Sequence, residues 1–367
     1  MNNICFILGT RPEIIKLSPV IRVCKQRKIP FFILHTNQHY SAEMDRVFFD
    51  ELHLPRPKYN LGIHESLHGK MVGHMLEGIE KILLKEKPSI VLVQGDTNTV
   101  LAGGLAAAKL QIKVGHVEAG LRSYDRTMPE EINRIVVDHL SDYLFCPTMK
   151  QKQILLGEGI DAKKIVVTGN TIVDAVLQNM KQSEKNKTYS FYAKERYILL
   201  TMHRPANVDD PKILSDILLS LEELSARAGF PIYFPVHPRT LQAMQKSSHV
   251  VHEKYIRLME PVQYLEMLAL EKYAQLILTD SGGVQEEACI LRAPCITLRE
   301  NTERPETVDV GANIVAGIKK RGIFMAAKKM LTVSENWRNP FGNGKAGEKI
   351  IKACSISYEK KVDISKL

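Results

Sequence analysis

The stretch Thr279-Asp280-Ser281-Gly282-Gly283-Val284-Gln285-Glu286-Glu287 decides the reading of this chain. It follows Leu276-Ile277-Leu278, an apolar run that predicts a buried strand, and leads into a helical pattern over 284–291. Strand, small-residue turn and helix together aim backbone N–H groups and a helix N-terminus at an anion. Gly282 and Gly283 let a phosphate approach the backbone with no side chain in the way. Glu287, one turn into the helix, is placed to accept hydrogen bonds from ribose hydroxyls. A Gly-Gly turn alone is an ordinary loop feature. Ser281, the Glu286-Glu287 pair and the later Thr302-Glu303-Arg304-Pro305-Glu306 turn the reading toward a nucleotide site.

Outward from this stretch, short β-branched runs alternate with amphipathic helical patterns. The first half predicts strands at 4–8, 31–35, 90–94, 113–118, 143–146 and 165–168. Helices are expected between them at 14–27, 67–85, 99–110, 131–140 and 150–158. A polar, basic segment at 181–195 closes that half. The pattern then restarts, with strands at 197–200, 232–236, 255–258, 276–278, 295–298 and 313–315. Its helices fall at 211–227, 240–246, 262–270, 284–291 and 319–332. Parallel strands need crossover connections, and helices of this length supply them. The expected fold is α/β, with two Rossmann-like domains over 1–168 and 169–346 joined near 168–195. Ligands in such sheets bind beyond the strand C-termini, so two domains facing each other would hold the site in the cleft between them.

The 367 residues are enough for two domains with a core each. A composition of 44% apolar and 25% charged residues is that of a soluble globular protein. No apolar stretch reaches the roughly 18 to 20 residues that span a bilayer, so no membrane partner is expected. The N-terminus runs straight into a strand without a basic lead or cleavage site, which argues against a signal peptide. The six cysteines are scattered and form no CxxC, as expected of core thiols in a reducing cytoplasm. A net charge of +9 raises nucleic acid as a partner. The basic residues are spread along the chain without interleaved aromatics, and a site for a small anion is the better reading.

Most unusual polar residues fall just after expected strands. Gly9-Thr10-Arg11-Pro12-Glu13 follows the first, with Lys16 in the next helix; Arg11 and Lys16 suit a phosphate or a carboxylate. Gly95-Asp96-Thr97 and Glu118-Ala119-Gly120-Leu121-Arg122 follow two others. Two carboxylates from neighbouring strand ends share a small volume, and crowding is expected to raise at least one pKa for acid–base work. Met128-Pro129-Glu130-Glu131 adds two more at a helix start, where a carboxylate is also a good cap. His203-Arg204-Pro205 and Val236-His237-Pro238-Arg239 repeat the pattern in the second half. His64, His68 and His74 lack a second pair of ligands at a recognisable spacing, so no metal is expected. No Gly-x-Gly-x-x-Gly follows a strand, so no NAD, and no other cofactor, is expected.

Taken together, the motifs at 9–13, 95–97, 115–122, 129–134, 280–287 and 302–306 closely resemble the non-hydrolysing UDP-N-acetylglucosamine 2-epimerases. The resemblance implies a fold like the B-type glycosyltransferases, a homodimer, and a C-terminal segment, from about Gly347, that crosses back onto the first domain. It implies reversible conversion of UDP-GlcNAc to UDP-ManNAc for polysaccharide synthesis, by loss of the C2 proton and of UDP to give 2-acetamidoglucal. Carried over by motif, Asp96, Glu118 and Glu130 are the acid–base carboxylates and His203 stands near the leaving group. Arg11, His237, Ser281, Gly282, Gly283, Glu287 and Arg304 hold UDP, and Lys16 supports the carboxylates or the phosphate. Between Glu130 and Glu131, spacing from Glu118 favours Glu130.

Two places depart from the family pattern. Gln38-His39 keeps a pair that in bacterial members binds a second UDP-GlcNAc as activator, but 40–44 differ and Lys70 replaces an expected arginine. Met267 stands near where an aromatic often lies against the uracil side. The competing readings are a hydrolysing 2-epimerase, a retaining glycosyltransferase and a non-enzymatic nucleotide-sugar sensor. The last two have no need of three acid–base carboxylates.

Overall fold

The computed structural model describes residues 3–37, 42–185, 189–247 and 249–362. The chain forms two compact units, Met1–Leu177 with Phe341–Leu367, and Gln178–Pro340. The first holds a seven-stranded sheet: β1 (Ile4–Leu8), β2 (Phe31–His35), β3 (Tyr59–Asn60), β4 (Ile90–Gln94), β5 (Lys113–Val117), β6 (Tyr143–Cys146) and β7 (Ile165–Val167). Every pairing is parallel, in the order β3-β2-β1-β4-β5-β6-β7. The second holds β8 (Ile198–Thr201), β9 (Ile232–Pro235), β10 (Ile256–Met259), β11 (Leu276–Thr279), β12 (Cys295–Thr297) and β13 (Asn313–Val315). Its order is β10-β9-β8-β11-β12-β13, again parallel throughout. The expected α/β class is therefore observed, and each sheet reverses its strand order once: between β1 and β4, and between β8 and β11.

The apolar strands are buried because helices cover parallel sheets on both faces. In the first unit Ile7, Val91, Val93 and Val114 pack with Met75, Ile79 and Leu83 of the helix His68–Glu86. In the second, Leu200, Phe234 and Leu278 pack with Leu214, Ile217 and Leu221 of the helix Pro211–Ala228.

The expected division at 168/169 moves to 177/178, inside the helix Thr171–Ser183. The start of that helix belongs with the first unit, because Asp174 accepts the N–H groups of Ala346 and Gly347 at 3.1 and 2.9 Å. The chain returns earlier than Gly347: Phe341 is buried, and its carbonyl accepts the Asn170 N–H at 2.8 Å. The C-terminal helix Ala346–Val362 then lies on the helix Arg11–Gln26. Pro19 within that helix has no N–H for the Ile15 carbonyl, and the Ser18 hydroxyl donates to it instead at 2.8 Å. A Cβ on Gly347 would stand 3.2 Å from the Pro19 carbonyl, so glycine permits the close approach. The polar segment at 181–195 is not bare coil, since 3-10 turns over Tyr189–Lys194 bury Tyr192 against Tyr197. All six cysteines are buried and none is in a disulfide. Among the described residues no helix is long and apolar enough to cross a membrane.

Candidate active site

Each unit gathers polar side chains at the C-terminal ends of the strands where its order reverses, the place at which open parallel sheets bind ligands. In the first unit, Thr10 caps the helix Arg11–Gln26 through a capping box with Glu13. Glu13 is buried and accepts the N–H groups of Gly9 at 2.6 Å and Thr10 at 2.8 Å, and the Thr97 hydroxyl beyond β4. Burial pushes its carboxyl up to about 7, against the pull of those hydrogen bonds. Arg11 lies over the Phe48 ring, 4.7 Å from its centre.

Glu118, just past β5, is also buried. Lys16 Nζ forks onto its two oxygens at 2.8 and 2.7 Å, and the Gln94 amide donates to one of them. Of its two expected roles, Lys16 here takes the carboxylate. Asp96 receives the Arg134 guanidinium. Asp96 and Glu118 each face a cation, and burial raises the carboxyl of Glu13.

The helix Pro129–Leu140 separates its two leading glutamates. Glu131 is buried, accepts the Ser123 N–H and hydroxyl at 2.9 Å and the Tyr124 N–H at 3.0 Å, and pairs with Arg134 at 2.8 Å. Burial alone would raise its carboxyl, but these donors and the arginine hold it below the usual range. Glu130 is exposed. Asn133 donates to the Asp96 carbonyl at 2.9 Å, so one face of the helix secures the turn after β4.

In the second unit the fully buried Asp280, just past β11, organises the turn after β8. It accepts the N–H groups of His203 and Arg204 at 3.0 and 2.8 Å and the Asn207 amide at 3.1 Å. Its other oxygen lies 3.4 Å from His203 Nδ1. Burial pushes the His203 imidazole down despite Asp280, and His237 opposes its charge as well. The His203 and His237 rings stand 5.5 Å apart, and His237 caps the helix Pro238–Lys246. Arg304 pairs with the buried Glu286 at 2.8 Å, and its N–H is held by Thr302 at 3.0 Å.

Ser281 is the N-cap of the helix Gly282–Leu291; its side chain makes no capping hydrogen bond, and its own N–H is taken by the Thr279 hydroxyl at 3.0 Å. Neither Gly282 nor Gly283 has a positive φ. A Cβ on Gly282 would meet nothing closer than 3.9 Å, and one on Gly283 nothing closer than 3.8 Å. The protein's own packing does not require either glycine. Glu287 is buried one turn further on.

Two of the three histidines weighed as metal ligands, His68 and His74, have protein partners. His68 Nδ1 faces the Asn98 amide at 3.1 Å, and His74 pairs with Glu65 at 3.0 Å, as does Lys70 at 3.1 Å. Gln38 and His39 lie outside the described residues. Sequence reading gave no role to Glu13, His116 or Asp138. Glu13 was signalled by its capping-box position after Thr10, and Asp138 by its place on the buried face shared with Glu131 and Arg134.

Two parallel α/β units with polar residues at the strand ends define the class: a Rossmann-like enzyme fold of the B-type glycosyltransferase kind. The wall teichoic acid polymerase TagF, at 12% identity and a TM-score of 0.59 over 99% of this chain and 90% of its own, shares that fold. The family model for UDP-N-acetylglucosamine 2-epimerase matches residues 22–355, and the chain belongs to that family. The UDP-N-acetylglucosamine 2-epimerase of Methanocaldococcus jannaschii is 57% identical over 95% of this chain and 98% of its own. Its crystal structure in complex with UDP-GlcNAc and UDP gives a TM-score of 0.88 at 56% identity, covering 96% of this chain and 99% of the other. A UDP-2,3-diacetamido-2,3-dideoxy-D-glucuronate 2-epimerase of Pseudomonas aeruginosa is 41% identical over 95% of this chain and 98% of its own.

Proposed function

We propose that the protein interconverts UDP-GlcNAc and UDP-ManNAc without releasing UDP to water, acting as a cytoplasmic homodimer. The observation that carries the reading is the helix N-terminus at Ser281-Gly282-Gly283, where the Ser281 side chain makes no capping bond and the two glycines are bare beyond what packing requires. Such an end is built for a diphosphate. Arg304 and Arg11 add positive charge, His237 lines the same strand ends as His203, and Glu287 serves the ribose. The M. jannaschii relative, solved with UDP-GlcNAc and UDP, supports this substrate over the diacetamido glucuronate of the more distant P. aeruginosa relative.

The C2–H of a GlcNAc unit is too weakly acidic for simple abstraction, so its loss is coupled to departure of UDP. A carboxylate among Asp96, Glu118 and Glu130 takes the C2 proton. The C–H electron pair becomes the C1–C2 double bond of 2-acetamidoglucal, and the C1–O pair leaves with UDP, anti to the proton. The developing phosphate charge is met by the Gly282 and Gly283 N–H groups, with His203 beside the leaving group. Protonation of the opposite face of C2 and return of UDP to C1 complete the epimerisation. Glu131 is committed to Ser123, Tyr124 and Arg134, which favours Glu130 as the third carrier.

The test is proton NMR of the protein with UDP-GlcNAc in D₂O, without added NAD or metal. Deuterium should appear at C2 of both UDP-sugars, and an oxygen-18 label in the C1–O–P bridge should scramble into non-bridging positions. Free ManNAc as product would make the enzyme a hydrolysing one. Turnover of only the diacetamido glucuronate would reassign the substrate. Epimerisation with an unscrambled bridge would overturn elimination.

A further inference from the structure

Behind both strand-end turns of the first unit lies a buried ion pair that the proposed reaction does not use. His116 Nδ1 stands 2.7 Å from Asp138 Oδ1, and Nε2 stands 2.8 Å from the Gly95 carbonyl oxygen. A carboxylate and a carbonyl only accept, so both ring nitrogens donate and the imidazole is a cation. Burial opposes that charge, but Asp138 outweighs it and leaves the imidazole above its ordinary range. Asp138 Oδ2 accepts the Gly120 N–H at 3.2 Å and Arg122 Nη1 at 2.7 Å. Arg122 in turn forks onto Glu158 at 2.8 and 2.6 Å.

The placement of the two gripped groups is what matters. Gly95 immediately precedes Asp96, and Gly120 lies just beyond Glu118. Gly95, Glu118 and Gly120 all have left-handed backbones, with φ of +85°, +71° and +83°. Glycine adopts this freely, whereas at Glu118 it is unfavourable and persists only where the surroundings over-determine it. Phe145 O supplies part of that restraint, accepting the Glu118 and Ala119 N–H groups at 3.1 and 3.2 Å. The Asp138 carboxylate supplies the next link, and through His116 the same carboxylate reaches the turn after β4.

We infer that His116 and Asp138 are positioning residues that set Asp96 and Glu118 relative to each other, through the Gly95 carbonyl and the Gly120 N–H. The inference rests on the reading of Asp96 and Glu118 as proton carriers. Both positioning side chains are fully buried, so they act through backbone and not on the substrate.

The experiment compares His116→Gln and Asp138→Asn in the full-length protein, with turnover counted per UDP-binding site. In each, kcat should fall about tenfold or more, while KM and UDP affinity stay within about twofold of wild type. An ion pair serving stability alone would lower the melting temperature and leave kcat per site unchanged; kcat within twofold in both variants overturns the inference. In a Glu118→Gln background, His116→Gln should lower kcat by less than about twofold further, because coupled residues are not additive. A second full tenfold loss would mean that His116 acts elsewhere. Near-normal turnover in Glu118→Gln alone sinks the proton-carrier reading instead, so the two failures are distinguishable. If both variants fail to fold, nitrogen-15 NMR of histidine-labelled wild type decides. Two ring N–H protons on His116 at neutral pH support the brace, and a neutral ring overturns it.

Discussion

The two sheets reverse their strand order in the same way, yet they treat the backbone N–H groups exposed there oppositely. After β1, the Gly9 and Thr10 N–H groups are taken by Glu13 of the helix that follows. After β11, the Thr279 hydroxyl takes the Ser281 N–H, but the Ser281 side chain makes no cap bond to the helix Gly282–Leu291. The first unit thus fills its own anion niche with a carboxylate and gives its other carboxylates cations, Lys16 for Glu118 and Arg134 for Asp96. The second uses Asp280 to fix the turn after β8 and leaves the first glycine N–H groups of the neighbouring helix without a side-chain cap. On the proposed function, one fold element serves two ends: closed by protein it would hold reacting groups still, and open it would bind phosphate.

The sharpest way to break this contrast is to remove charge from the closed side. Glu118→Gln or Asp96→Asn should lower kcat by about 10² to 10⁴-fold, the usual range for a general acid or base. UDP affinity, measured by calorimetry, should barely move if, as proposed, the open side holds the nucleotide. Near-normal turnover would take that residue out of the mechanism.

Glu13 gives the next largest effect, on stability. Its folded pKa of about 7 lies above the 4.5 expected of an unfolded glutamate. Between those values the folded chain binds more protons than the unfolded one, so the contribution is fully present below about 4.5 and lost as pH rises through about 7. At about 1.4 kcal/mol per pH unit, the loss amounts to about 3 kcal/mol. Glu13→Gln keeps an acceptor for Gly9 and Thr10 without the titration. The difference between wild-type and variant denaturation midpoints should change with that sign across pH 4.5 to 7. Parallel curves would mean that Glu13 is not a buried, proton-holding cap.

Much of the fold was legible because strands buried on both faces read as unbroken apolar runs, as Ile90–Gln94 does. Tyr59–Asn60 was not, since two residues carry no pattern. The helix Thr171–Ser183 escaped notice because it bridges the expected joint, and its partner Ala346–Val362 is distant in sequence. Within the candidate site, strand-end residues stood out by position and type. What sequence reading missed is partnership: that Glu131 turns inward to Ser123 and Arg134, that Lys16 chooses Glu118, and that His116 is clamped between Asp138 and Gly95. Such pairings join residues from separate strands and helices, and no local spacing encodes them.

The smallest expected effect tests the open side most cleanly. Gly282→Ala and Gly283→Ala each add one methyl at the start of a helix where neither φ nor neighbouring atoms forbid it. Alanine is the better helix former by up to about 1 kcal/mol, so the melting temperature should hold or rise slightly. On the proposed function, the same methyl would enter the space a diphosphate needs to reach the backbone N–H groups. UDP affinity should therefore fall about tenfold, or about 1.4 kcal/mol, with no loss of fold. Stability and affinity moving in opposite directions would identify glycines kept for a ligand and not for the chain. If calorimetry finds UDP bound as tightly as in wild type in both variants, the nucleotide lies elsewhere. The contrast between a closed and an open strand end then loses its functional half, even if the carboxylate variants behave as expected.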